Sequence, residues 1–545
     1  MRTAHSISLG LVFLATAVAC GGQAPPPPVL TVTSPARGLV QSGAGRITVT
    51  GTAMPSASGD PVARLTVNGV PAALQPGGSF TTTIDAPNGA MLLETVAVTD
   101  KGGSVTDTRA IQSGQLRKVG TGIDRAITAA LSADAFTRLS TVAGPLLKTM
   151  DLAAMLAPMQ PMMIAGDDLA NVKLSVTALH FRDTRIALAP INGGLSFTAA
   201  FDGLDVAANV AYSGVLVPDG STDVAIHADQ VTITGTLDVA PAGTTGFATQ
   251  LIDSTVNTVG LKLSASGLAG QILDLLNSEL GSTVQSMVSQ SAELAMGPLV
   301  NQALGAFAGP QRIDVLGKKL DLQVSPSALT FTPTGALVAL DLQALVEGSE
   351  SSPGYIFTDN GAPAMDARRG FQLGFADDLV NELLAEVHAL GLLDVTLHDD
   401  YGLFDGAQFQ LAMPPMISAN TRDGAMRLVI GDMKATFTHH GATVVKAAIN
   451  AQVDLKIAPA ANAQEVALQF GHVDLRVDVL DDAHNPAGAS GDDLSGATAL
   501  GVGIQLDSLS KLLITLPVPS VAGIQLEHLS IGADSGYVMM SGQIH

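Results

Sequence analysis

Apolar residues alternate with polar or small residues over long stretches of residues 118–545, and this alternation constrains the fold more than any other feature. One run places Val172, Leu174 and Val176 on the same side of the chain, and another extends from Ile449 to Ile457. A period of two puts every second side chain on one face of a strand, so each run predicts a sheet with one apolar face. The sequence therefore predicts meandering antiparallel sheets in this part of the chain.

Three stretches between these runs have the spacing of amphipathic helices, with apolar residues three or four positions apart. They are residues 121–150, residues 268–308 and a helix that begins near Asp377 and ends at Gly391. Because helix and sheet patterns occur twice in the same order, we predict an α+β fold. Residues 118–310 and 311–545 would form two tandem halves, each a twisted antiparallel sheet wrapped around long amphipathic helices.

Residues 29–115 contain short strand-like runs separated by turn signals, and this pattern predicts a small all-β domain. Leu65-Thr66-Val67 alternates and ends at Asn68-Gly69, which is a strong signal for a hairpin turn. Short strands separated by Gly-rich turns at this spacing favour an immunoglobulin-like sandwich. The stretches Val67-Asn68-Gly69-Val70 and Gly78-Ser79-Phe80 resemble bacterial Ig-like domains of surface proteins. The resemblance implies a fold, and it favours a spacer over a ligand site.

Cys20 is the only cysteine of the chain and directly follows a short apolar run. Residues 1–19 are typical of a secretory signal peptide, and their apolar run is too short to span a bilayer. The stretch Ala17-Val18-Ala19-Cys20 resembles a bacterial lipobox, in which the cysteine sulfur receives diacylglycerol. We therefore predict lipidation at Cys20. The alternative is an ordinary signal peptide with a chance cysteine.

The residues after Cys20 are suited to a tether. Residues 20–28 begin with small, flexible residues and end in the short polyproline run Pro25–Pro28, which extends about 12 Å at ~3.1 Å per residue. Gly21 directly follows the cysteine, at the position where an inner-membrane retention signal would have Asp. We therefore predict a lipid-anchored protein of the bacterial cell envelope, attached to the outer membrane.

The composition excludes several classes of protein. The chain has 545 residues, which is too long for one core, and a formal net charge of −22. Such a field repels nucleic acid, and no basic stripe offsets it. A single cysteine permits no intrachain disulfide. No apolar run after the signal reaches the length of a membrane-spanning helix.

Two apolar segments in the second half carry a family resemblance. One runs from Phe375-Ala376-Asp377-Asp378-Leu379-Val380-Asn381-Glu382-Leu383-Leu384 to Leu393, and the other runs from Ile514 to Val538. Both resemble the C-terminal half of the bactericidal/permeability-increasing and lipid-transfer protein family, within the tubular lipid-binding superfamily. The resemblance implies an apolar tube that holds acyl chains, with a more exposed lipid headgroup. It does not extend to endotoxin binding, because members that bind lipopolysaccharide are cationic at their tip and this chain is acidic.

We predict a lipoprotein that binds or shuttles lipid through an apolar groove between helix and sheet. The predicted lipid contacts are residues of the three helical stretches: Ile127, Leu131, Ile272, Leu275, Leu276, Leu379, Leu383 and Val387. Burying an acyl chain gains about 0.8 kcal/mol per CH₂. The alternative is that these side chains fill a solid core, which favours a cell-surface adhesion or assembly protein.

The sequence predicts no enzyme, cofactor or metal site. No nucleophile elbow, zinc-binding helix motif or phosphate loop occurs. A hydrolase with an unrecognised site remains a third hypothesis for the function. The acidic loop from Asp481 to Asp493 lacks the carboxylate spacing of a calcium loop. His439 and His440 are adjacent on a predicted strand, so they are expected to point to opposite faces and not to share a metal.

Overall fold

The computed structural model describes residues 25–215, 219–244, 246–266, 268, 270–304, 309–358, 361–398, 404–419, 426–459, 466–482, 491–514 and 526–544. Within these ranges the chain divides into two compact units. The smaller unit contains residues 25–36, 46–84 and 93–107, and the larger unit contains residues 37–45, 85–92 and 108–544. The predicted signal peptide and Cys20 lie outside the described residues.

Strands dominate the described residues. The first nine are β1 (Val29–Ser34), β2 (Leu39–Ser42), β3 (Gly45–Met54), β4 (Val62–Val67), β5 (Val70–Pro71), β6 (Ser79–Ala86), β7 (Gly89–Thr99), β8 (Ser104–Arg117) and β9 (Ile123–Ser132). The next nine are β10 (Met163–Gly166), β11 (Asn171–Ile191), β12 (Gly194–Ser213), β13 (Gly220–Ala242), β14 (Gly246–Val259), β15 (Lys262–Ala265), β16 (Gly309–Val315), β17 (Lys318–Thr332) and β18 (Gly335–Val346). The last ten are β19 (Tyr355–Phe357), β20 (Phe371–Ala376), β21 (Val395–Leu397), β22 (Gly406–Gln410), β23 (Met416–Ser418), β24 (Met426–His439), β25 (Ala442–Pro459), β26 (Val466–Asp481), β27 (Leu526–Asp534) and β28 (Tyr537–Ile544).

The described helices are fewer. They are α1 (Ala133–Thr149), α2 (Leu152–Leu156), α3 (Gly270–Leu304), α4 (Asp377–Ala389) and α5 (Gly491–Ile514), with 3₁₀ turns at Ala157–Met159 and Ala367–Arg369. Helix α3 has 35 residues and is therefore about 53 Å long at 1.5 Å per residue. In the part of the chain that the structure describes, no helix combines the length and the apolar character needed to cross a bilayer.

The smaller unit is built from short antiparallel strands. β3 pairs with β1 and β6, and β4 pairs with β5 and β7. The hairpin predicted at Asn68-Gly69 is confirmed: both residues have positive φ, 47° and 76°, as a tight two-residue turn requires. Val49, Val67 and Phe80 are buried at its centre. Assignment to the immunoglobulin-like class stays a prediction.

The larger unit is organised around a central seven-stranded sheet with the order β16-β17-β18-β9-β20-β28-β27. β9 and β20 lie side by side and antiparallel in its middle. Each runs straight into a helix, α1 after β9 and α4 after β20. Two further antiparallel sheets have the orders β10-β11-β12-β13-β14 and β21-β22-β24-β25-β26. The described residues thus fit the broad α+β class that the sequence predicts, with strands in large excess.

Each of these two further sheets has one long helix against both of its edge strands. α3 packs on β14 and on β10, and α5 packs on β26 and on β21. Because a sheet buries the apolar face that its alternation creates, the helix supplies the second layer of the core. The same order of elements occurs twice along the chain. In each case a strand of the central sheet is followed by a helix, then by one of the two further sheets, then by a long helix, and then by more strands of the central sheet.

The helix predicted over residues 121–150 is wrong in its first third. Residues 123–132 form β9, and α1 begins only at Ala133. Ile127 and Leu131 therefore lie on a strand, where Ile127 pairs with Leu340 and Phe375. A central strand covered on both faces carries a nearly continuous apolar run, which periodicity alone does not distinguish from a helix.

A buried polar network in the larger unit stabilises a bulge in β24, where the strand register is interrupted. Asp432 has φ +44° and interrupts the register between β24 and β25. Its carboxylate accepts hydrogen bonds from the Arg37 guanidinium at 3.0 Å and from the backbone N–H of Ala110 at 2.9 Å. The Asn450 side chain accepts from the Asp432 N–H at 2.7 Å. The charge of Asp432 is thereby paired although the side chain is fully buried.

Candidate functional site

A row of acidic side chains lies buried along helix α4. Asp378, Glu382 and Glu386 are four residues apart and therefore share one face of the helix, and Asp377 precedes them. All four are buried, and Glu382 and Glu386 expose nothing to solvent. The helix N-terminus stabilises carboxylates in the first helical turn. Two more acidic side chains buried further along the same helix are exceptional, because Glu is almost never fully buried.

Each carboxyl group accepts a hydrogen bond from a backbone N–H of another element. Ala419 N–H donates to Asp377 at 2.8 Å, and Thr358 N–H donates to Asp378 at 2.8 Å. The partners of the two glutamates come from the segment before β9 and from β18. In those pairs, Gly120 N–H donates to Glu382 Oε1 at 2.7 Å and Val346 N–H donates to Glu386 Oε2 at 2.5 Å.

Several polar atoms beside this row have no protein hydrogen-bond partner. They are Glu382 Oε2, Glu386 Oε1 and the hydroxyl of Tyr355, all buried. Burial, strengthened by the carboxylates of Glu382 and Asp378, raises the pKa of Tyr355 well above its usual range. The phenol therefore stays neutral at any physiological pH.

Burial also raises the pKa of the acids themselves. It raises the pKa of Asp377 to about 7, assisted by the adjacent Asp378, and the pKa of Glu386 to about 7. For Glu382, burial and then the Glu386 carboxyl raise the pKa to about 9. Because a charge without a partner is costly in this interior, Glu382 holds its proton near neutral pH.

A half-open cavity of about 450 Å³ begins at the N-terminal end of the same helix. Its apolar wall is formed by Ile123, Ala328, Phe357 and Ala376. Its charged rim is formed by Arg117, Asp124, Arg125, Asp341 and Asp378, and Ser327, Gly361, Gly536 and Tyr537 complete the lining. Asp378 thus belongs to both the acidic row and the cavity.

The two arginines of the rim are held in different ways. The Arg117 guanidinium lies over the ring of Phe357, 3.3 Å from the centroid, in a cation–π contact. Arg125 has φ +54°; its backbone N–H donates to Asp341 at 2.8 Å, and its carbonyl oxygen accepts from the Tyr537 hydroxyl at 3.1 Å. The Arg117 guanidinium is therefore held in place at the cavity, whereas the contacts of Arg125 fix its backbone.

The predicted lipid contacts are distributed over three elements. Ile127 and Leu131 lie on β9, while Ile272, Leu275 and Leu276 lie on α3, and Leu379, Leu383 and Val387 lie on α4. Seven of the eight are buried and Leu275 is half-buried. None of the eight lines the cavity, to which β9 and α4 contribute other residues, such as Ile123 and Asp378, and to which several further strands also contribute. The role of the eight as lipid contacts stays a prediction.

Sequence reasoning missed the acidic row. The spacing of Asp378, Glu382 and Glu386 is visible in the sequence, but such a stripe ordinarily marks the solvated face of a helix. α4 is covered instead by β18, β19, β9 and β23, so both its faces are internal. The only available signal was the absence of lysine and arginine from the helix.

The expectation that His439 and His440 point to opposite faces is wrong. The rings of His439 and His440 lie side by side, with centroids 4.0 Å apart. β24 ends at His439, and His440 turns away from the strand with φ +51°, so the two-fold alternation of a strand does not apply. Among the described residues, no group of three or more His, Cys, Asp or Glu is arranged to hold a metal ion. Much of the acidic loop after Asp482 lies outside the described residues.

No protein-family model matches this chain, and no curated protein matches it in sequence. Among solved structures, the chain is similar to a lipopolysaccharide binding protein, with 12% identity and a TM-score of 0.38 over 78% of this chain and 99% of that one. It is also similar to P47 of Clostridium botulinum E1, with 9% identity and a TM-score of 0.27 over 77% and 98% of the two chains. P47 from Clostridium botulinum A2 gives 9% identity and a TM-score of 0.22 over 78% and 98%. TM-scores this low establish neither a shared fold nor a shared ligand.

Proposed function

We propose that this protein is a lipid-binding lipoprotein of the bacterial cell envelope, a carrier rather than an enzyme. The observation that carries the proposal is the cavity on the central sheet. Its apolar wall and its rim of two arginines and three aspartates suit an amphiphile with an apolar chain and a charged head. A volume of about 450 Å³ lies within the range of small-molecule sites, roughly 300–1,000 Å³.

The energetics favour an acyl chain as the buried part of the ligand. Ten methylene groups transferred from water into an apolar site gain about 8 kcal/mol at ~0.8 kcal/mol each. That corresponds to a dissociation constant of about 1 μM before the costs of ordering the chain are subtracted. In this proposal the side chains of Ile123, Phe357 and Ala376 contact only part of the acyl chain, and the charged lining residues receive the polar end.

The two long helices of the larger unit extend the proposal. We propose that each further sheet wraps around its helix, α3 or α5, as a tubular lipid-binding half. The support is that each helix packs against both edge strands of its sheet, and that the side chains between them are aliphatic. Leu276, Val284 and Met287 of α3 are examples of such buried side chains.

The proposed anchor and spacer complete the assignment. Cys20 would carry the lipid, residues 20–28 would be the tether, and the smaller unit would be an immunoglobulin-like spacer. A tether raises the local concentration of the carrier at its lipid source without adding a contact. Metabolic labelling with radioactive palmitate tests this part. Label is expected in the outer-membrane fraction for the parent chain and should be lost with Cys20→Ser; label that persists in that variant contradicts it.

The lipid-binding proposal is tested by filling the cavity. Ala328 lines it and is exposed, so Ala328→Trp blocks the space without straining the core. Ala248 on β14 is also exposed and lies outside the lining, so Ala248→Trp is the matched control. Both substitutions are made in the Cys20→Ser chain, which carries no acyl anchor.

Native mass spectrometry and uptake of a fluorescent phospholipid provide the measurements. The Cys20→Ser parent and the Ala248→Trp control are expected to co-purify with lipid and to take up the probe. Ala328→Trp is expected to lose at least tenfold in uptake. The cavity is not the binding site if all three chains take up lipid equally, and the proposal fails if the parent neither carries lipid nor takes it up.

A further inference from the structure

Methionine is concentrated in one short stretch of the larger unit. Five of the 17 methionines of the chain lie within residues 150–163 of its 545 residues, where an even distribution would place less than one. The five are Met150, Met155, Met159, Met162 and Met163. We name residues 155–162 the methionine segment. Three thioether groups thus lie within one helical turn, the 3₁₀ turn after it and the residues that follow.

The methionines of this segment differ from those of the core. Met287 and Met433, elsewhere in the larger unit, are almost fully buried, as expected of side chains that fill a core. Met155, Met159 and Met162 pack against the core but are only half-buried, so part of each side chain is in contact with solvent. Dissolved ions therefore have access to this part of the surface.

Local structure keeps the three side chains within reach of one another. Helix α2 runs directly into the 3₁₀ turn that ends at Met159. Because Met155 and Met159 are four residues apart along these consecutive turns, they lie on the same half of the helical surface. Met162 follows three residues later, and three residues span at most about 11 Å. Each methionine has three rotatable bonds, which allow the three sulfur atoms to turn towards one point.

The backbone beneath these side chains is held in place by β11. Gln160 Oε1 accepts a hydrogen bond from the Val176 N–H at 2.9 Å. The Met162 N–H donates to the carbonyl oxygen of Leu174, also at 2.9 Å. The methionine segment is therefore attached to the sheet at two points. A ligand held by the three side chains needs only rotation of those side chains, and the backbone pays little in ordering.

The charges around the segment favour a cation. From residue 149 to residue 172 the chain contains three aspartates and no lysine, arginine or histidine. Helix α3, which packs on α2, contains no basic residue either. Lys148 is paired with Asp183 at 2.8 Å, and Lys173 is exposed on the face of β11 opposite to the buried Leu174. A positive ion at the methionine segment thus meets a negative surrounding.

The chemistry of the sulfur atoms selects the kind of cation. A thioether is a soft, uncharged ligand that suits Cu⁺, whereas Ca²⁺ and Mg²⁺ require several oxygen ligands. Zn²⁺ is bound by thiolate, imidazole and carboxylate groups. Throughout the described ranges, no three His, Cys, Asp or Glu side chains are grouped so that they could hold a metal ion. The aspartates near the segment therefore do not offer a competing site for a hard ion.

We propose that Met155, Met159 and Met162 form a thioether site for one Cu⁺ ion. Three sulfur atoms each donate an electron pair to the ion, and its oxidation state does not change. Thioethers carry no proton, so binding releases none, and the affinity is expected to be the same at pH 5.5 and pH 7.5. The site lies apart from the cavity lining, and the inference goes beyond lipid binding, since it holds whether or not a lipid occupies the cavity.

Competition with the Cu⁺ chelator bicinchoninate tests the proposal, with ascorbate present and oxygen excluded. The Cys20→Ser chain is used, because thioethers are then its only sulfur groups. It is expected to take one Cu⁺ per chain from the chelator, and an excess of Zn²⁺ should not displace the ion. Met155→Leu/Met159→Leu is expected to lose at least tenfold in affinity. Leucine keeps the apolar character and the approximate size of the side chain, so the loss identifies sulfur.

A matched control uses two methionines outside the segment. Met54 is exposed and Met91 is half-buried, and Met54→Leu/Met91→Leu should bind Cu⁺ like the parent. The proposal is overturned if the parent takes no Cu⁺ from the chelator, if both double variants bind equally, or if the affinity falls steeply between pH 7.5 and pH 5.5, as histidine ligands would require.

X-ray absorption of the Cu⁺-loaded parent keeps the proposal testable if the double variant misfolds. A first coordination shell of sulfur alone is expected, and nitrogen or oxygen neighbours in that shell would overturn the proposal. Neither measurement depends on the cavity, so Ala328→Trp should bind Cu⁺ like the parent. Failure of lipid uptake and failure of Cu⁺ binding are therefore distinguishable.

Discussion

Replacing Glu382 by glutamine removes a titratable group from the buried face of α4 and keeps the size of the side chain. Glu382 is fully buried, accepts one hydrogen bond from Gly120, and leaves Oε2 without a protein partner. Burial and the neighbouring Glu386 raise its pKa from an ordinary value of 4.5 to about 9. The folded chain therefore binds this proton more tightly than the unfolded chain.

The sign of the pH dependence follows from that difference. For an acid whose folded pKa is raised, the contribution to stability is fully present below the unfolded pKa of 4.5 and is lost as the pH rises towards about 9. Each pH unit in this window costs about 1.4 kcal/mol. At pH 8 the loss is of the order of 3–5 kcal/mol, the lower figure allowing for titration shared with Glu386.

Glu382→Gln is therefore expected to change the pH profile of stability. The amide oxygen of the glutamine still accepts the hydrogen bond from Gly120. The amide N–H donors find no partner, which lowers the free energy of unfolding by about 1 kcal/mol. At pH 5 the variant should be equal to the parent or slightly less stable, and at pH 8.5 it should be more stable by several kcal/mol. Its melting temperature should exceed that of the parent by several degrees at the higher pH.

Differential scanning fluorimetry from pH 5 to pH 8.5 measures this effect. Glu347→Gln, at an exposed position just after β18, is the matched control and should follow the parent across the range. The reasoning is refuted if the curves of parent and Glu382→Gln stay parallel, because the buried carboxyl would then carry no proton linkage.

Three other predictions concern stability, each measured by chemical unfolding at neutral pH. Asp432→Ala is expected to lose about 3–5 kcal/mol, because it removes one of the two carboxylates that pair with Arg37, Asp478 being the other, and leaves the N–H groups of Gly38 and Ala110 without their acceptor; a loss below 1 kcal/mol would show that water replaces the carboxylate. Leu383→Ala should lose about 2–5 kcal/mol through the cavity it leaves in the core, and a negligible loss would indicate that this side chain faces open space. Lys148→Ala should change stability by less than about 1 kcal/mol, because its ion pair with Asp183 is exposed; a larger loss would reveal packing by the lysine stem.

Long amphipathic patterns were predictable from the sequence, and short buried ones were not. α3 and α4 lie close to their predicted ranges, because many consecutive turns with one apolar stripe leave no strand alternative. β9 was predicted as helix because a ten-residue strand covered on both faces has no alternation to distinguish it. The pairing of Arg37 with Asp432 joins residues 395 apart in sequence, and no local pattern contains it.

The candidate site was missed for the same reason. The buried Glu382 accepts a hydrogen bond from Gly120, and the buried Glu386 accepts one from Val346. Both donors belong to segments that are distant from α4 in sequence. Local sequence specifies the stripe of acids, but only tertiary packing decides whether water or protein covers it. The cavity likewise combines Arg117, Ala328 and Tyr537, which come from three distant segments.

Asp378 connects the cavity to the protonation of the acidic row. It lines the cavity, and its carboxylate is among the groups that raise the pKa of Glu382. A cationic group placed beside Asp378 would offset that repulsion and lower the pKa of Glu382, whereas an anionic group would raise it further. A bound lipid with an ammonium head should therefore flatten the loss of stability between pH 5 and pH 8.5, and an anionic head should steepen it. Melting curves of the Cys20→Ser chain with phosphatidylethanolamine or phosphatidylglycerol measure the difference, and identical pH slopes with both lipids would mean that the headgroup does not lie at Asp378.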